Sequence, residues 1–205
     1  MTDADVRSML RERYGVSRET LLANYAAILR EENERQNLIA RSTVSDLWTR
    51  HILDSEQLLR WGSTGETASW LDIGSGAGLP GIVLAILHSG PVALVEPRRK
   101  RAEFLSEVSE RLGLANVRVF QRKIEQVKGE KADCITARAV ASLPSLFASS
   151  IHCAHKDSVF ILPKGRSAHS EVEAAREAWQ GMFHVEQSVT DPGSHIVIAR
   201  EVSPK

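Results

Sequence analysis

The sequence predicts an α/β fold: a doubly wound, mostly parallel seven-stranded sheet with an antiparallel C-terminal strand, preceded by an N-terminal helical extension. Three observations predict it. From about residue 67 short apolar runs alternate with amphipathic helical patterns, an alternation that pairs strands in parallel through right-handed crossovers. The stretch "LDIGSGAGLPG", residues 71 to 81, crowds its glycines directly behind the first apolar run. Residues 1 to 66 carry helical stripes and no strand alternation.

In the extension, "SRETLLANYAAILREENERQN" sets Leu21, Leu22, Tyr25, Ala26, Ile28 and Leu29 on one helical stripe, with Ser17 as the expected N-cap. A second helix is expected from about Val44 to Leu59, and "WGSTGETAS" has the composition of a linker, dividing a helical extension at 1–66 from a core at 67–205. In that core "SWLDIG", "PVALVEP", "NVRVFQ", "ADCITA" and "SVFILP" are expected strands. The intervening helices are "PGIVLAILHSG", "RKRAEFLSEVSERLGL", a segment around Ser142 to Cys153 and one around Ala168 to Trp179. In the second of these Phe104, Leu105, Val108 and Leu112 share a side. "HVEQSVT" and "HIVIARE" have no convincing helix between them, so they are expected to close the sheet as an antiparallel hairpin.

A chain of 205 residues can bury one substantial core. Cys134 and Cys153 lie in apolar segments without recurring spacing, which suggests neither a disulfide framework nor a zinc site. The start "MTDADVRSML" is acidic where a signal peptide is basic, and no apolar run reaches the roughly 18 residues of a membrane span. The expectation is a soluble, cytoplasmic monomer. With 26 basic and 26 acidic side chains the global charge does not point to nucleic acid, and the one dense basic run is "RRKR", Arg98 to Arg101.

The glycine loop sits at the first strand-to-helix turn, where open α/β sheets bind ligands. A dinucleotide fingerprint needs G-x-G-x-x-G, but counting from Gly74 and Gly76 puts Leu79 at the third glycine position. What stands there is D-x-G-x-G-x-G, Asp72 to Gly78. A pyrophosphate wants the bare N–H groups of a helix start, and a carboxylate beside it repels the anion. S-adenosylmethionine has no phosphate and carries a sulfonium and an ammonium, which suit Asp72. Glu96 ends the second strand, about where a carboxylate accepts from ribose hydroxyls. Ile124 and Glu125 follow the third strand and are placed to flank an adenine. Together these favour a methyltransferase.

By these residues the chain resembles the small-subunit ribosomal RNA guanine-N7 methyltransferases, the glucose-inhibited division protein B family. The resemblance rests on "NLIA" (37–40), "RHILDS" (50–55), "LDIGSGAGLPGIVLAI" (71–86), "RKRAEFL" (99–105), "TARAVASL" (136–143), "PKG" (163–165) and "HIVIAR" (195–200). It implies a Rossmann-like class I S-adenosylmethionine-dependent methyltransferase fold, S-adenosylmethionine as donor, and a guanine in a loop of 16S rRNA near the decoding centre as acceptor. Residue by residue it implies cofactor contacts at Gly74 and Leu79, adenine-side contacts at Ile124 and Glu125, and Arg138 lining the cofactor and acceptor cleft. Two arginines stand in "VEPRRKR" where many relatives carry glycine or serine.

The cofactor set is thus Asp72, Gly74, Gly76, Gly78, Leu79, Glu96, Ile124, Glu125 and Arg138. Guanine N7 attacks through an in-plane lone pair with no proton to lose, so positioning, not a general base, should dominate, and Arg138 is the expected positioning group. The chain lacks an N-P-P-Y-like stretch for an exocyclic amine and a Pro-Cys pair for a pyrimidine. Candidate RNA contacts are Arg98, Arg99, Lys100, Arg101, Lys164 and Arg200. His51 is expected to pair with Asp54 one helical turn on and to pack the extension on the core. His152 and His155 flank Cys153 without the further ligands zinc needs. A small-molecule acceptor, with the N-terminal helices as a lid, and a non-catalytic nucleotide-responsive module are the alternatives this reading leaves open.

Overall fold

The computed structural model describes residues 1–62 and 67–205. Helix α1, Asp3–Gln36, begins well before Ser17: Thr2 accepts from the Asp5 N–H and Asp5 accepts from Thr2 in a closed capping box. Gly15, at φ 84°, breaks the helix two residues ahead of Ser17, and Asn37 ends it in the left-handed region at φ 50°. The second helical stretch is tighter and looser by turns: a π segment at Trp48–Ile52, then α2 at Leu53–Glu56, then a 3-10 segment at Gln57–Trp61. The expected linker's residues 63–66, and with them the boundary between extension and core, lie outside the described residues.

The sheet comprises β1 (Trp70–Ile73), β2 (Val92–Val95), β3 (Val117–Phe120), β4 (Ala132–Ala137), β5 (Ala154–Lys164), β6 (Trp179–Gln187) and β7 (His195–Pro204). Its order is β3-β2-β1-β4-β5-β7-β6, with β7 antiparallel to both neighbours. Helices α3 (Gly81–Leu87), α4 (Arg99–Arg111), α5 (Leu143–Ser150) and α6 (Ala168–Ala178) make the crossovers. The expected alternation and the closing hairpin are both present.

Period-two side chains divide the core into two layers. Trp70, Leu94, Cys134, Ile161 and Ile198 face one layer with α1, α3 and α4. Leu71, Val95, Ile135, Phe160 and Val197 face the other with α5 and α6. Val6, Leu10, Leu22, Tyr25 and Leu29 of α1 are fully buried in the first layer, so the extension completes the core that α3 shares. Asp72, two residues after Trp70, therefore points under the N-terminal helices, in register with Thr136 of β4.

Candidate active site

The glycine loop leaves β1 at the carboxyl end of the sheet. Gly74 and Ser75 donate to the Val95 carbonyl (2.8 and 3.1 Å), and Gly78 donates to Ser75 O (2.7 Å). Gly74, Gly76 and Gly78 all lie at positive φ (69°, 54° and 88°), but they serve different ends. A Cβ on Gly78 would sit 2.6 Å from Ile82 Cγ1, and one on Gly74 2.6 Å from Val140 Cγ2, so these two permit packing. At Gly76 the nearest atom would be 3.6 Å away, with Arg101 Nη1 at 3.7 Å and Glu96 Oε2 at 4.0 Å. Of the three, only Gly76 has room for a Cβ at ordinary contact distance.

Two acids hold the loop's backbone, Glu96 at Gly76 and Asp72 at Gly81. Glu96 is buried and its carboxylate is held by backbone: Oε2 accepts from Gly76 N–H (2.9 Å) and Oε1 from Arg98 N–H (2.8 Å). Each oxygen keeps a further lone pair for a ligand hydroxyl. Asp72 is 1% exposed; Oδ2 accepts from Gly81 N–H (3.1 Å), while Oδ1 has no hydrogen-bond partner. Burial away from water pushes its carboxyl up to about 6, against the lowering pull of the Ser75 and Gly81 bonds and Arg138. Thr136 Oγ1, beside it in the sheet, is likewise buried without a partner. A buried acceptor left bare at a loop mouth suits a cationic ligand group.

The N-terminal helices close over this corner. Tyr25 is fully buried and its hydroxyl donates to Ala77 O (2.8 Å), tying α1 to the loop. Arg18 donates to Ile86 O in α3, and Gln36 donates to Lys100 O at the start of α4. Arg138, just beyond β4, places Nη1 3.3 Å from His51 Nδ1 and 3.5 Å from Asp54 Oδ2. His51 and Asp54 do not pair with each other as the one-turn spacing suggested; both converge on Arg138 Nη1, a donor brought to them from the end of β4. Burial first, then Arg138 and Arg50, bring the His51 imidazole down to about 4, so it is neutral near neutral pH.

Arg138 opens onto a cleft of about 640 Å³ over the ends of β4 and β5. Its walls include Asp54, Val140, Ser142, Gly165, Ser194 and His195. Asp54 Oδ1 accepts from Thr190 Oγ1 (2.9 Å) and Gln57 Nε2 (2.9 Å), and Arg50 pairs with Asp191 (2.7 Å), so the β6–β7 loop is fastened to the second helical stretch. Tyr25, Thr43, Asp54, Val140, Ser194 and His195 were not singled out for the site from sequence. The signal available for Asp54 and Val140 was membership of "RHILDS" and "TARAVASL".

The other expected residues sort plainly. Leu79 is buried in the first layer, and Ile124 in the second with Glu125 exposed beside it. Arg98, Arg99 and Lys100 are exposed at the mouth of the loop, Arg99 pairing with Glu103 (2.7 Å), and Arg101 leans toward Gly76. Two expected RNA contacts are corrected. Lys164 is only 11% exposed and its ammonium is taken by Glu171 (2.8 Å) and Ala141 O (2.6 Å), where it braces the cleft wall. Arg200 pairs in register with Val159, level with Cys134 and Trp70 at the opposite end of the sheet from the loop, because β7 runs antiparallel. His152 meets Val127 O and His155 meets Asp133, and among the described residues no cluster of metal-ligating side chains occurs. Both cysteines are buried, and burial pushes the Cys153 thiol up to about 11. Among the described residues no helix is long and apolar enough to cross a membrane.

Residues 18–197 match the family model described as GidB, rRNA small subunit methyltransferase G. A ribosomal RNA small subunit methyltransferase G of Zymomonas mobilis is 44% identical over 100% of this chain and 96% of its own length. One from Novosphingobium aromaticivorans is 42% identical over 100% of this chain and 91% of its own. Among solved structures, a SAM-dependent methyltransferase from Aquifex aeolicus superposes with a TM-score of 0.62 at 16% identity, over 85% of this chain and 97% of that one. That likeness carries the fold; with identity above two fifths over all of this chain and more than nine tenths of their own length, the sequence relatives carry more, and the chain belongs to the rRNA small subunit methyltransferase G family.

Proposed function

We propose that the chain transfers a methyl group from S-adenosylmethionine to N7 of a guanine in 16S rRNA of the small ribosomal subunit. One observation carries the cofactor assignment: Asp72 Oδ1, fully buried and bare beneath the glycine loop. A buried acceptor without a partner costs about 1–3 kcal/mol, and a cationic amino group reaching it directly or through water recovers that cost. Gly76 leaves the room, and Glu96, already fixed by two backbone N–H groups, offers its remaining lone pairs to ribose hydroxyls. When bound, the donor supplies an electrophilic methyl on a sulfonium. Ile124 and Glu125 are assigned to the adenine side, and Leu79 to the loop wall.

The cleft beside Arg138 is the acceptor site in this reading. Guanine N7 presents a lone pair and releases no proton, so the chain's task is to hold the base edge-on and exclude water. Arg138 remains a cation beside a neutral imidazole, able to donate to O6 or a phosphate while N7 stays free. Arg98, Arg99, Lys100 and Arg101 rim the same edge of the sheet and are assigned to RNA phosphates. Incubating the protein with labelled S-adenosylmethionine and unmethylated small subunits, followed by mapping of the label, tests the assignment. Label at N7 of a single guanine is expected. Label on another atom, or transfer only to small molecules, would overturn it.

A further inference from the structure

The route by which Arg138 is held runs through groups that neither the cofactor loop nor the basic rim explains. Guanidinium groups only donate, so the 3.3 Å contact from Arg138 Nη1 makes His51 Nδ1 an acceptor. The imidazole proton is then on Nε2, which lies 2.8 Å from Thr43 Oγ1. Thr43 accepts it, and its own hydroxyl proton goes to Ala40 O at 2.8 Å. The chain Arg138, His51, Thr43, Ala40 thus donates in one direction throughout, and the Ala40 carbonyl at its end also accepts from the Thr43 backbone N–H (2.9 Å). Ala40 ends "NLIA", His51 stands in "RHILDS" and Arg138 in "TARAVASL", so three separate stretches of sequence meet in one relay.

We propose that His51 is a positioning residue for methyl transfer: as a neutral acceptor backed by Thr43, it aims the Arg138 guanidinium at the acceptor cleft. The inference rests on the methyl-transfer reading and adds a part to it. The charged groups facing the imidazole are Arg138 and Arg50, with Asp54 reaching it only through Arg138; together with burial these arginines keep it neutral. Asp54 Oδ2 is a second anchor at 3.5 Å, so the guanidinium is held between a carboxylate and the nearer imidazole at 3.3 Å, and the imidazole fixes the direction of Nη1 that the longer ion pair leaves loose. An acidic anchor at closer range would also neutralise the guanidinium, whereas imidazole orients it and leaves its charge for the RNA. Arginine carries about 2 kcal/mol of rotamer entropy, so aim is not obtained without such a partner.

Two substitutions separate aim from packing. In His51→Asn the side-chain oxygen falls where Nδ1 stood and still accepts from Arg138; in His51→Gln the amide reaches the Nε2 position and still meets Thr43, while the acceptor for Arg138 is gone. Single-turnover transfer to unmethylated small subunits is measured at saturating S-adenosylmethionine and RNA, per enzyme competent to bind cofactor, so a partly folded preparation is counted correctly. His51→Asn should keep the rate within about threefold and His51→Gln should lose at least about tenfold, the scale of a misaimed group at a reacting centre. In an Arg138→Ala background the two should be indistinguishable. Equal loss in both single variants, or a difference that persists without Arg138, would overturn the proposal. An inactive wild-type protein would instead sink the functional reading beneath it.

Discussion

Replacing Asp72 with asparagine isolates a strained electrostatic feature of the fold, a carboxylate buried to 1% exposure with one oxygen bare. Its carboxyl stands at about 6 instead of the ordinary 3.8, because burial disfavours the charged form. At about 1.4 kcal/mol per pH unit, the ionised group costs the folded chain about 3 kcal/mol at neutral pH. The folded value is the raised one, so this group's stabilising contribution is full below about pH 4 and is lost as the pH rises through about 6. Asparagine keeps an acceptor for Gly81 N–H, never ionises, and leaves its amide unpartnered at a roughly constant cost of about 1–3 kcal/mol. Urea denaturation of both proteins without cofactor should therefore show the variant gaining on wild type by about 1–2 kcal/mol between about pH 5 and pH 8, about half of the full span. Calorimetry should show the reverse for function. Wild-type affinity for S-adenosylmethionine rises through about pH 6 as Asp72 ionises, while the variant binds weakly and without that rise. A variant that binds the cofactor as tightly as wild type at about pH 8, or a stability difference that does not change with pH, would refute the reasoning.

Gly76→Ala, placing a methyl at ordinary contact distance from Arg101 and Glu96, should fold with a cost of about 1–2 kcal/mol for its positive φ and lose cofactor binding by calorimetry. Gly78→Ala, whose Cβ meets Ile82 at 2.6 Å, should instead lower the melting temperature, and equal effects of the two on stability would contradict the division of roles. Glu96→Ala should weaken S-adenosylmethionine binding by about 1.5–3 kcal/mol, the scale of hydrogen bonds to a charged group, with a smaller effect on turnover of saturated enzyme. With His51 held at about 4 and no proton to remove from N7, the single-turnover rate at saturating cofactor should be nearly flat between about pH 6.5 and 8.5. A tenfold rise per pH unit across that window, abolished by one carboxylate or histidine substitution, would show that a proton is abstracted.

Much of the fold was legible because strand and helix periodicities are local. "LDIG", "VALVE" and "ADCITA" read as buried strands from their own composition, and the helix-free run between the last two strands marked the antiparallel ending that β6 and β7 form. Within the site, D-x-G-x-G-x-G and the acid closing β2 were legible for the same reason: each sits at a strand end, where the alternation itself says a ligand edge must be.

Where a side chain at the end of such an element points depends on partners far away in the chain, and only packing supplies them. Tyr25 reaches Ala77 across 52 positions, Lys164 is claimed by Glu171 on the next helix, and His51 and Asp54 meet at Arg138 and not at each other. The antiparallel direction of β7 was legible in the sequence but its register was not, and the pairing of Arg200 with Val159, with His195 opposite Lys164, is what sets Arg200 at the end of the sheet away from the loop. Even the glycines divided this way: sequence marks all three as backbone requirements, but whether a Cβ would strike Ile82 or Val140, or fit at ordinary contact distance as at Gly76, is decided by what the rest of the chain packs around the loop.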